Sequence, residues 1–288
     1  MISWDPEVVQ SIGRRRSVIM IGSGVSRNSV NRDGKRPPTW EGFLREASKS
    51  LGSPPQIEKL IDQRDYLTAC EIVKRKMARD GFISLVQREY QQAGYQSALI
   101  HEHIYNLDSA IIASPNFDNI YDTYAAGASN GTLVMKDHTS SDIVNYLGGG
   151  EVRLLLKTHG SANNPAQLIF TRRDYAAART KHVLFYEILK SLVLTHTFLF
   201  LGCGIDDPDI RALFEDVQFA HERMPHHFMT MPQGEVDDDV MAIATEAMKV
   251  KFLQYSPANG HEELTGSLGE LVKLVDAFRD LRAGDRKW

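Results

Sequence analysis

The chain has 288 residues, of which 42% are hydrophobic and 24% charged, enough apolar material for one large domain or two small ones. The net charge of −4 weighs against a protein built mainly to grip nucleic acid, which needs clustered Lys and Arg. Two distant cysteines, Cys70 and Cys203, exclude a disulfide framework or a four-cysteine zinc site within one chain. The start, Met1-Ile2-Ser3-Trp4-Asp5, lacks the basic-then-apolar layout of a secretion signal, and no apolar run reaches membrane-spanning length. The expectation is a reduced, cytoplasmic protein with no membrane contact and no sequence-specific nucleic-acid binding. Arg14-Arg15-Arg16, the one dense basic run, reads as a solvated face.

The first element is Ser17–Ile21, an apolar run that ends in Gly22-Ser23-Gly24. Continuous apolar runs suit strands buried on both faces of a parallel sheet. Residues 110–113, 153–156, 197–201, 227–230 and 250–253 read the same way, and 133–135 is a weaker candidate. Residues 40–100 instead carry helical stripes (Phe43, Leu44, Ala47, Leu51; Tyr66, Cys70, Val73), with a turn at Ser53-Pro54-Pro55. Further stripes run through Val183, Leu184, Ile188, Leu189 and Leu192, and through Leu264, Leu268, Leu271, Val275 and Phe278. A fourth, Ile210, Leu213, Phe214 and Val217, opens with Asp207 as cap and Pro208 at the first helical position. Strands alternating with helices predict an α/β fold: a Rossmann-like, doubly wound, mostly parallel sheet. It forms one domain over residues 1–288, with a helical insertion at 40–100.

Four loops following apolar runs carry candidate chemistry. Gly22-Ser23-Gly24-Val25-Ser26 can cradle a pyrophosphate on backbone N–H groups, helped by the following helix N-terminus, or can simply be a tight strand-to-helix turn. Ser114-Pro115-Asn116-Phe117-Asp118 offers an Asn that can orient water, or an Asx turn. Lys157-Thr158-His159-Gly160 offers a base that titrates near neutral pH, or a structural histidine. Gly202-Cys203-Gly204-Ile205-Asp206-Asp207-Pro208 again pairs close backbone approach with helix capping. Four such loops at the carboxyl ends of four strands favour one shared cleft over four unrelated turns.

In this order, the four blocks resemble the signature blocks of sirtuins, and most closely the SIR2-like NAD hydrolases of bacterial anti-phage defence. Pro38-Thr39-Trp40, His101, Phe170-Thr171 and Asp174-Tyr175 fit the same resemblance. It implies NAD as substrate and no metal. It implies that Asn116 positions water and the ribose, that His159 is the general base, and that Asp118 holds the nicotinamide carboxamide. Gly22, Ser23, Gly24 and Ser26 would line the dinucleotide phosphates, with Gly202, Cys203 and Gly204 on the nucleotide's other side.

The chain departs from the family pattern at three points. Ser23 replaces an alanine, Ser114-Pro115 precedes the Asn, and Gly204 stands where a hydroxyl residue is common. The segment from Ser161 to Thr197 holds no cysteine, so the zinc module of deacylating sirtuins is missing and water becomes the simpler acceptor. The resemblance therefore implies a hydrolase that releases nicotinamide and ADP-ribose. Such an effector would deplete the cell of NAD in abortive infection. It would be controlled by homo-oligomerisation or by a defence partner such as a hexameric ATPase, an Argonaute-like protein or another trigger sensor. Three other functions stay open: an NAD or ADP-ribose sensor module without turnover, an NAD-dependent protein deacylase, and a metal hydrolase. The last is disfavoured because His101 and His103, two apart on a helix, face different ways.

Overall fold

The computed structural model describes residues 1–147, 152–204, 214 and 224–285. Seven strands form one sheet: β1 (Ser17–Ile21), β2 (Ile111–Ser114), β3 (Val134–Asp137), β4 (Leu154–Lys157), β5 (Thr197–Leu201), β6 (His227–Pro232) and β7 (Val250–Tyr255). Their order is β3-β4-β2-β1-β5-β6-β7, and every described pairing is parallel. The chain builds one wing through β2, β3 and β4, then crosses β1 to build the other from β5. The switch in direction therefore falls between β1 and β5, and it opens at the strands' carboxyl ends.

The continuous apolar runs follow from burial on both faces. On β1, Val18 and Met20 join one core while Ile19 and Ile21 join the other. Phe198 and Phe200 alternate with Leu199 and Leu201 in the same way on β5. Helix α1 (Pro6–Gly13) and the C-terminal helix Ala258–Asp285 contribute Val8, Ile12, Leu264, Leu268, Leu271 and Val275 to the second core. The second helix is entered through left-handed backbone at Asn259, Gly260 and His261.

Between β1 and β2 lie α2 (Ser23–Ser26), α3 (Trp40–Ser50), α4 (Pro55–Asp62), α5 (Tyr66–Lys76), α6 (Arg79–Val86), a single π turn at Gln87–Gln91 and α7 (Leu99–Asn106). Thr39 caps α3 by accepting from the Gly42 N–H, and Asp65 caps α5 through the Thr68 N–H. The core of these helices is not self-contained. Phe43, Phe82 and Tyr90 pack with Phe170 and Leu168 from the chain after β4, and Phe117 lies against them. Lys74 adds an ion pair of 2.6 Å to Asp174.

Two sequence expectations need correction. Val183 and Leu184 open α10 (Val183–Thr195) at 52% and 48% exposed; the buried stripe instead uses Phe185, Tyr186, Ile188, Leu189 and Leu192. They follow directly on α9 (Arg172–Lys181), with only His182 between the two helices, and the buried face of α10 begins at Phe185. Arg14-Arg15-Arg16 is not uniformly solvated either. Arg15 adopts a positive φ of 55° and folds onto Asp108 at 2.9 Å, where Arg153 and Arg279 also converge. Of the stripe expected from Ile210 to Val217, only Phe214 is described, and it is buried against Phe198 and Phe200. Ile210, Leu213, Val217 and the caps Asp207 and Pro208 lie outside the described residues.

Candidate functional site

At the switch point, the loops after β1 and β5 touch backbone to backbone. The Gly22 N–H donates to the Leu201 carbonyl and the Gly24 N–H to the Gly202 carbonyl, each at 2.9 Å. A side chain on Gly22 would fall on the Gly202 carbonyl oxygen, and one on Gly24 would sit 2.8 Å from the Gly202 Cα. Gly202 has φ of +59°, and a Cβ there would lie 2.6 Å from the Val25 nitrogen. Its conformation and its surroundings both demand glycine. The glycines thus have a structural duty first: they let two strand ends close on each other. Cys203, half-buried, turns its Sγ toward the Met20 and Leu201 carbonyls at 3.6 Å. The helix after the glycine loop is a single turn, Ser23–Ser26. The expectation of a helix-terminus charge there is corrected, because one turn has too few aligned peptides to sum a useful dipole.

The loops after β2 and β4 form a different kind of arrangement, in which side chains add to the backbone contacts. Ser114 and Lys157 end adjacent strands in register, so Asn116 and His159 each stand two residues beyond the same level. The Thr158 N–H donates to the Ser114 carbonyl at 3.0 Å, and the Ala162 N–H to the Phe117 carbonyl at 2.8 Å. Two hydroxyl and amide contacts add to this: Ser161 Oγ to Asn119 Oδ1 at 2.7 Å, and Asn119 Nδ2 to Asn163 Oδ1 at 2.8 Å. The two loops therefore leave the sheet as a fastened pair.

Asn116 is half-buried. Its Nδ2 donates to Ser26 Oγ at 3.0 Å, and Ser26 donates onward to Asp118 Oδ2 at 2.8 Å. Asp118 Oδ1 accepts the Ile120 N–H at 3.1 Å, at the start of α8 (Ile120–Ala128). Ser26 and Asp118 are 4% and 5% exposed, so this relay is fixed in a low-dielectric surrounding where satisfied hydrogen bonds hold groups firmly. Ser26 accepts from Asn116 and donates to Asp118, so its one hydroxyl hydrogen is committed to the relay. Pro115 causes no break: Ser114 Oγ accepts the Asn116 N–H at 3.2 Å and donates to the Ile21 carbonyl at 3.0 Å, bracing the loop against β1.

His159 is 5% exposed, and its ring meets Tyr175 of α9 (Arg172–Lys181) edge-on, with centroids 5.1 Å apart. Gly160 follows with φ of +84°, a conformation that suits glycine. Thr171 and Asp174 form a capping box at the start of α9, which fixes the helix carrying Tyr175. Asp174 is held below the ordinary carboxylate range by Lys74 and its cap N–H groups, against the opposing effect of burial.

Sequence reasoning missed Lys157. It is 3% exposed, and its Nζ donates to the Asp118 carbonyl at 2.7 Å and pairs with Asp122 at 3.2 Å. A lysine closing an apolar strand reads as the start of a loop, so nothing in the local pattern marks it as buried. Burial pushes the Asp122 carboxyl up, opposed by Lys157.

His101, buried in α7, accepts the Ala98 N–H at Nδ1 and has an Nε2 with no hydrogen-bond partner. Burial lowers its pKa. Among the described residues, no group of three or more His, Cys, Asp or Glu side chains is arranged to hold a metal. No helix is long and apolar enough to cross a membrane among them. A cavity of about 330 Å³, lined in part by Asn28, Arg32 and Gln96, begins two residues beyond Ser26. A larger one of about 500 Å³, along β7 and helix Asp238–Met248, is lined by residues without titratable side chains and lies away from the relay.

The comparisons with known proteins agree with this layout. Residues 110–253, half of the chain, match the model of the SIR2-like domain. Over 218 residues the chain is 26% identical to Defense-associated sirtuin 2 of Bacillus subtilis, covering 74% of this chain and 20% of that protein. It is 21% identical over 222 residues to NAD(+) hydrolase ThsA of Enterococcus faecium, covering 76% of this chain and 44% of that one. The chain thus spans a fifth of one relative's length and less than half of the other's. By sequence match and by its doubly wound parallel sheet, the chain belongs to the SIR2-like family.

Proposed function

We propose that this chain hydrolyses NAD at the nicotinamide–ribose bond, releasing nicotinamide and ADP-ribose, as the effector of a bacterial anti-phage defence system. The observation that carries the reading is the Asn116–Ser26–Asp118 relay at the carboxyl edge of β1 and β2, with His159 leaving the adjacent strand at the same level. One relative is named for NAD hydrolysis and the other for defence, which supports both halves of the proposal.

Nicotinamide is cationic on its ring nitrogen while attached and leaves as a neutral molecule, so no general acid is needed. The task is to hold the ribose, stabilise the developing oxocarbenium charge and deliver water. With Nδ2 committed to Ser26, Asn116 presents Oδ1 as an acceptor for a water or ribose hydroxyl hydrogen. His159 takes the proton as the new C–O bond forms. Lys157, Asp122 and Asp118 lie buried together beneath this edge, with Lys157 bonded to the Asp118 carbonyl and to Asp122.

Purified protein incubated with NAD, alone and with co-expressed neighbouring proteins, tests the proposal. Nicotinamide and ADP-ribose should appear in equal amounts without any acyl-lysine peptide. Peptide-dependent release would make the protein a deacylase, and tight NAD binding with no product would make it a sensor module.

A further inference from the structure

Lys157 joins the two halves of the candidate site through one side chain. Its backbone lies two residues before His159, and its ammonium reaches the carbonyl of Asp118, two residues beyond Asn116. Asp122, in the first turn of α8 and 6% exposed, supplies the counter-charge. A buried ion pair is a poor source of stability: its desolvation offsets most of the attraction, and a matched apolar pair holds a fold as well. What an apolar pair cannot do is grip a carbonyl oxygen at 2.7 Å. The ammonium has three donors, and the described partners are a main-chain carbonyl and a carboxylate at the base of the catalytic loop.

We infer that Lys157, with Asp122 as its counter-ion, is a positioning residue that sets the Asn116–Asp118 segment against His159; this rests on the NAD-hydrolase proposal above. Lys157 acts through the Asp118 carbonyl and does not touch substrate. Its removal therefore lowers turnover more than substrate affinity.

The test compares Lys157→Met alone with the double variant Lys157→Met, Asp122→Leu. The single variant strands a buried carboxylate and should lose stability. The double variant should regain the wild-type Tm to within a few degrees. It should keep a kcat for nicotinamide release at least tenfold below wild type, with KM for NAD changed less than threefold. Amide hydrogen exchange supplies a readout that needs no turnover: in the double variant the Ile120 and Ala162 amides should exchange at least tenfold faster, while β1 and β5 amides stay unchanged. A double variant with restored Tm, wild-type exchange at Ile120 and Ala162, and wild-type kcat would overturn the inference. If wild type releases no nicotinamide, the hydrolase proposal fails on its own, and the exchange comparison still decides whether Lys157 positions the loop.

Discussion

The two loop pairs at the sheet's carboxyl edge are built from different materials. The β1–β5 pair is backbone against backbone: Gly22, Gly24 and Gly202 approach so closely that no side chain fits. The β2–β4 pair adds side chains to two backbone bonds: Asn116, Ser26, Asp118, Lys157 and Asp122 link segments up to 131 positions apart. The first kind of contact makes shape and tolerates no added atom. The second makes chemistry, and it tolerates atoms but not a change of donor or acceptor. Substitutions in the two regions should therefore fail in opposite ways, one in stability and one in turnover.

The largest effect belongs to the side-chain region. Asn116→Ala should lower nicotinamide release by roughly 10²–10⁴-fold. Because Asn116 is only half-buried, the variant loses about 1 kcal/mol of stability, the worth of one hydrogen bond. Steady-state kinetics beside a thermal melt would show it, and a large fall in Tm would break the comparison. His159→Gln suits the same test better than His159→Ala, since the ring is buried on Tyr175 and truncation would leave a cavity.

The backbone region gives the next effect. Gly202→Ala combines a left-handed φ with a Cβ placed 2.6 Å from Val25, and should cost about 2–4 kcal/mol. Denaturant unfolding would measure it. A stable but inactive Gly202→Ala protein would show that the loop serves the ligand more than the fold, and the contrast would have to be redrawn.

An effect outside both regions, absent at neutral pH, calibrates the stability scale. His227 starts β6, accepts the Phe198 N–H at 3.1 Å and is enclosed by the Phe198 and Phe214 rings. Burial lowers its pKa from 6.5 to about 3, so the unfolded chain binds more protons than the folded one between those values. Stability is full above pH 6.5 and is lost as pH falls toward 3, with a slope of up to about 1.4 kcal/mol per pH unit from this group. His227→Asn keeps an acceptor for the Phe198 N–H and should flatten the fall of Tm with acid. An unchanged acid profile would place the sensitivity in another group, His101 first.

The sheet was legible in the sequence because burial on both faces leaves unbroken apolar runs. All seven strands lie within two residues of where those runs place them. The ends were less legible for a physical reason: Ser114 and Lys157 belong to their strands but are polar, and their partners sit on other segments. The same limit applies to Ser26. Its position next to the glycine pair suggests a phosphate ligand, whereas its hydroxyl bonds Asn116 and Asp118, 90 and 92 residues away. Local pattern names the loops, but long-range hydrogen bonds assign the atoms. The helices between β1 and β2 were visible as stripes, but not that their aromatic core would close over Phe117 and so brace the Asn116 loop.

The most direct measurement is a structure of the Asn116→Ala protein with intact NAD bound. The account predicts the nicotinamide ribose at the carboxyl edge of β2 and β4, its anomeric carbon roughly 3–3.5 Å from where a water held by Asn116 and His159 would stand. A dinucleotide seated along β7, or a ribose that faces only one of those two residues' positions, would contradict it.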